Sequence, residues 1–89
     1  MGSASRLRVV VAAGADEAPA VRLARRLRDG GHEVVYLTGV PSEEHLAAVA
    51  VQEDADATCA WFGGAPEPQV TGEDADVVAR LRAAASHSA

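Results

Sequence analysis

The run Leu7-Arg8-Val9-Val10-Val11-Ala12, with Gly14 just beyond it, decides how this chain is read. It is valine-rich and almost wholly apolar. A strand covered on both faces of a parallel sheet reads this way, because neither face alternates toward water. A helix signal follows at once. Asp16 is placed to cap it, and Glu17 in the first turn complements the helix dipole. Pro19 is tolerated there because first-turn amides have no intrahelical acceptor. Ala20, Leu23, Ala24 and Leu27 recur at i, i+3, i+4 and i+7, while Arg22, Arg25, Arg26 and Asp29 fall off that stripe. Gly30-Gly31 ends the helix, since glycine takes the left-handed conformation that helix ends often need.

The same strand-then-helix unit repeats twice. His32–Leu37 reads as the second strand and Thr38-Gly39 closes it. Ser42 caps a second helix with Glu43 and Glu44 in its first turn and Leu46, Val49 and Ala50 on its inner stripe. Asp54-Ala55-Asp56 turns the chain into a third apolar strand, Ala57–Phe62. The segment Gly63–Pro68 is a loop by its glycines and prolines. Thr71 with Asp74 resembles a capping box for a third helix carrying Val77, Val78 and Leu81. Residues 1–6 read as a disordered start, 7–85 as one α/β domain and 86–89 as a flexible tail. Alternating strands and helices imply a parallel sheet. The fold class expected is α/β, a three-layer flavodoxin-like sheet truncated to about three βα units. In the order 2-1-3-4-5 the chain supplies strands 2, 1 and 3. Strand 3 is then expected to have a bare edge, and helix 1 to cover one face alone.

At 89 residues, 48% hydrophobic and 3% aromatic, the chain supports one small domain with a core of Val, Leu and Ala. The net charge is −5 and all 8 basic residues are arginines. No basic patch with interleaved aromatics is present, which disfavours nucleic acid. No apolar run has the length of a membrane span, and the first residues lack the apolar core of a secretory signal. A cytoplasmic protein is expected. Cys59 is the single cysteine, so no intrachain disulfide is available.

The text Ala24-Arg25-Arg26-Leu27-Arg28-Asp29-Gly30-Gly31-His32-Glu33-Val34-Val35-Tyr36, then Pro41-Ser42-Glu43-Glu44, then Val51-Gln52-Glu53-Asp54-Ala55-Asp56, carries a family resemblance. It resembles the cobalamin-binding domain of methylmalonyl-CoA mutases and related cobalamin carriers, well over Leu7–Asp56 and weakly beyond. In that family an Asp-x-His-x-x-Gly loop after the first strand supplies the cobalt-ligating histidine. Gly14, Asp16 and Pro19 occupy those three positions here. Aspartate is a weak, hard ligand for cobalt, so histidine-on ligation is not expected and any bound cobalamin is expected base-on. Trp61-Phe62-Gly63 stands where the family has Ser-x-Leu, and bulky rings there would fill the channel for the nucleotide tail.

Ligands of open α/β sheets sit at the carboxyl ends of strands where strand order reverses. That rule and the resemblance together mark Gly14, Asp16, Thr38, Gly39, Trp61, Gly63 and Gly64 as candidate cofactor-binding residues. His32, His45 and His87 show no metal-ligand spacing, so no metal ligands are assigned. No phosphate loop, dinucleotide fingerprint or nucleophile–base pair is present, so no catalytic residues are assigned. The resemblance implies a degenerate cobalamin-binding-type domain, accessory to a methylmalonyl-CoA mutase-like isomerase and partnered by that catalytic subunit; the bare strand 3 edge and the face beside helix 1 imply pairing with a second copy or a partner. The alternative is a non-catalytic interaction module that keeps the fold and pairs through the edge of strand 3. A third alternative is a small flavodoxin-like binder of an acyl-CoA or nucleotide.

Overall fold

A computed structural model describes residues 6–39 and 42–86. Residues 1–5 of the expected disordered start, Val40-Pro41 and residues 87–89 of the expected tail, His87 among them, lie outside the described residues. Among the described residues the elements run β1 (Arg8–Ala12), α1 (Ala18–Asp29), β2 (Glu33–Leu37), α2 (Glu43–Gln52), β3 (Ala57–Ala60), β4 (Gln69–Gly72) and α3 (Ala75–Ser86). They form one sheet of order β2-β1-β3-β4 with three helices. The class is α/β, as expected.

β1 pairs in parallel with β2, Val10 opposite Val35, and in parallel with β3, Val10 opposite Thr58. The parallel core 2-1-3 is therefore present. A fourth strand then corrects the expectation of a bare strand 3: β4 runs antiparallel along β3, Cys59 opposite Val70. The Gly63–Pro68 loop is what allows it, because antiparallel neighbours need no crossover helix between them. The sheet is mixed, and its free edges are β2 and β4.

Successive side chains alternate between the two faces of a strand, and here both faces are buried. Val9 and Val11 pack with Ala20, Leu23 and Leu27 of α1 and with Val77, Leu81 and Ala85 of α3. Val10 and Ala12 pack with Leu46 of α2 and with Ala60. The expectation that helix 1 alone covers one face is therefore corrected: α1 and α3 share that face, and α2 stands alone on the other. Leu23, Val9, Val10 and Val11 are fully buried. Each such side chain contributes about 1.5–3 kcal/mol relative to exposure.

The helix ends follow the sequence with two changes. Ser42 caps α2, its Oγ accepting from the His45 N–H at 3.1 Å. Asp16 is not the cap of α1. Glu17 holds that position without a side-chain bond to the helix amides, and Asp16, one residue earlier, accepts from Ala18 N–H on Oδ1 at 3.0 Å. Thr71 does not cap α3 but lies in β4. Asp74 caps instead, its Oδ1 accepting from the Asp76 and Val77 amides at 2.9 and 3.4 Å. No described helix is long and apolar enough to cross a membrane.

Candidate functional site

β2 and β3 lie on opposite sides of β1, so the β1–α1–β2 crossover runs over one face of the sheet and the β2–α2–β3 crossover returns over the other. The loops after β1 and β3 therefore meet at the point where open α/β sheets hold ligands. In this chain the two loops are joined. The Trp61 N–H donates to Ala12 O at 3.0 Å, and the Ala15 N–H donates to Gly63 O at 2.8 Å. On the other side the Ala13 N–H donates to Leu37 O at 2.9 Å, so the loop after β1 is tied to both neighbours.

Gly14 sits inside this closure. A Cβ there would stand 2.7 Å from Gly63 O, 2.9 Å from Trp61 O and 3.1 Å from Trp61 Cβ. Only a residue without a side chain lets the loops approach this closely. Gly63 is in the left-handed region at φ 58, which turns its carbonyl toward Ala15. Three of the candidate residues, Gly14, Trp61 and Gly63, are thus brought together and meet each other; a groove of about 270 Å³ lies to the side, where Trp61 lines it with Pro19, Pro66 and Ala85.

The remaining candidates are placed elsewhere. Asp16 is exposed and its carboxylate is used in the turn before α1. Thr38 and Gly39 share a shallow groove of about 300 Å³ with Leu37 and His45, at the end of β2. Gly64 is exposed, and a Cβ there would meet nothing within 4 Å.

Trp61 is 2% exposed and packs with the core layer under α1 and α3. It occupies the space between the first helix and the sheet, the space expected for a nucleotide tail. Its Nε1 is buried with no hydrogen-bond partner. Phe62 points the other way and packs beside α2. Cys59 is fully buried at the centre of β3, and burial pushes its thiol from the ordinary 9.0 up to about 12, which makes it unreactive.

His32 accepts the Leu7 N–H on Nδ1 at 3.0 Å, so it closes the opposite end of β1 and its proton is on Nε2. Among the described residues, no three of His, Cys, Asp and Glu are grouped to hold a metal. Taken together, these residues do not fit a corrin held in the family's manner. The histidine position is an aspartate already bonded to backbone, the loop above it is shut, and an indole fills the channel below.

Two features escaped the sequence. The Tyr36 hydroxyl donates to Glu17 Oε1 at 3.2 Å beside the closed crevice, and its pKa is raised by burial and then by the Glu17 charge. On the α2 face, Thr58 Oγ1 and Thr71 Oγ1 share a hydrogen bond of 2.6 Å in a groove of about 320 Å³ bounded by Leu46 and Phe62. The alternation Gln69-Val70-Thr71, polar-apolar-polar, was the available signal for that strand. Comparison with protein-family models, with curated proteins and with solved structures gives no match for this chain.

Proposed function

We propose that this chain is a non-catalytic protein-interaction module on a flavodoxin-like frame, with its ancestral ligand crevice closed. The observation that carries this is the Ala15–Gly63 hydrogen bond over a Gly14 with no room for a methyl group. Backbone fills the meeting point of the two loops, and the Tyr36 hydroxyl and Glu17 carboxylate beside it are spent on each other. What the frame leaves available is surface and strand edge. The pairing expected at β3 has no free edge to use, since β4 occupies it; the edges open to another chain are β2 and β4.

A base-on cobalamin carrier accessory to a mutase-like isomerase is the second proposal. Its support is the resemblance over Leu7–Asp56 together with the 2-1-3 order of the parallel strands. Gel filtration of the chain mixed with hydroxocobalamin separates the two. The interaction module predicts that corrin absorbance elutes apart from the protein. Corrin travelling with the protein peak overturns that proposal and favours the carrier.

A further inference from the structure

The geometry points to β2 as a self-pairing edge, through which two copies of this chain join antiparallel into one continuous sheet. This rests on the interaction-module proposal and names its partner.

The backbone of β2 settles which groups are free. Glu33 N–H donates to Leu7 O at 2.8 Å, and Leu37 O accepts from Ala13 N–H at 2.9 Å, so residues 33, 35 and 37 turn their polar groups toward β1. The alternation then directs the N–H and C=O of Val34 and Tyr36 outward from the sheet. A two-fold axis normal to the sheet pairs antiparallel strands so that residues of like parity stand opposite. With Val35 on the axis, Glu33 faces Leu37, Val34 faces Tyr36, and all five residues of β2 pair. Val34 and Tyr36 fall at the hydrogen-bonded positions and exchange both bonds, twice by symmetry. Val35 faces Val35 at a position without hydrogen bonds.

Side chains agree with that register. Val34 and Tyr36 lie on the α1 face, and an aromatic opposite a β-branched residue is a favoured cross-strand pair. Val34, Val35, Tyr36 and Leu37 are all only half-buried in the single chain. β2 carries none of the usual edge protections, with no proline and no lysine in Glu33–Leu37. Its one charge, Glu33, is drawn back over β1 by Arg8, whose Nε and Nη2 approach Glu33 Oε1 at 2.9 and 2.8 Å. In the paired register Glu33 faces Leu37 of the second copy, which lines a groove with His45. The Glu33 carboxylate keeps its Arg8 pair, so Val34, Val35, Tyr36 and Leu37 of the two copies meet without an unpaired charge between them.

The test uses the full chain. Sedimentation across a micromolar to millimolar series is expected to show a reversible monomer–dimer equilibrium, and amide exchange at Val34 and Tyr36 to slow about tenfold with concentration while Val35 stays unchanged. Val35→Cys is expected to form an intermolecular disulfide under mild oxidant, because non-hydrogen-bonded antiparallel pairs bring Cα atoms to about 4.5 Å. Thr71→Cys, on the β4 edge, is expected not to. Dimerisation without a Val35→Cys cross-link or slowed Val34 exchange overturns β2 pairing but leaves the interaction module standing. A chain that stays monomeric throughout overturns β2 pairing, and one that also carries corrin overturns both.

Discussion

Gly14→Ala tests the closed crevice with a single methyl group. The added Cβ meets two carbonyl oxygens at 2.7 and 2.9 Å, and neither belongs to a side chain that could swing aside. Relief requires the loops after β1 and β3 to part, which breaks the 2.8 Å bond from Ala15 to Gly63. Overpacking in a tight site costs about 1–3 kcal/mol and a lost hydrogen bond about 1, so the expected loss is about 2–4 kcal/mol. For a domain of this size that lowers Tm by roughly 10–30 °C. Gly64→Ala is the control, because a Cβ there meets nothing within 4 Å and its φ is not positive. Its Tm is expected to hold or rise slightly, since alanine reduces the entropy of the unfolded chain. Thermal melts followed by far-UV circular dichroism compare the two. Equal melting temperatures for both variants would refute the closure.

The Thr58–Thr71 pair lends itself to a double-mutant cycle. Thr71→Val strands the Thr58 hydroxyl, 6% exposed, and costs about 1–2 kcal/mol, whereas the double valine variant is close to neutral; chemical denaturation measures both. Ser42→Ala removes the cap of α2 and is expected to cost about 1 kcal/mol by the same assay. Burial raises the Cys59 thiol from 9.0 in the open chain to about 12 in the fold. Its contribution is thus fully present below pH 9, and stability falls as pH rises from 9 toward 12, where only the unfolded chain ionises. Stability measured against pH checks this, as does a thiol reagent at pH 8, expected to label Cys59 only after denaturant is added.

The parallel core was legible because its residues obey one rule each. Val9, Val10 and Val11 can be buried together only in a strand with both faces covered, and the stripe Ala20, Leu23, Ala24, Leu27 is buried as its period requires. β4 was not legible. It spans Gln69–Gly72, buries only Val70, and its Thr71 also fits a helix-start pattern with Asp74. Sequence pattern cannot choose between those roles, and the choice is made by tertiary pairing with Thr58 and Cys59. The placement of α3 beside α1 depended on that same strand, so it was missed with it. At the candidate site, the sequence located the meeting of the Gly14 and Gly63 loops but not its closure. Closure depends on carbonyl positions across 49 residues of chain, which no local spacing encodes. Of the two rings expected to fill the space under helix 1, only Trp61 does so; Phe62, next along the strand, is turned to the opposite face beside α2.

Native-state amide exchange at Ala15 tests the closed crevice most directly. If the loops are sealed, the Ala15 N–H exchanges as slowly as the Trp61 N–H, which bridges β3 to Ala12. Exchange at Ala15 as fast as at exposed Gly64, with Trp61 still protected, would mean that the crevice stands open.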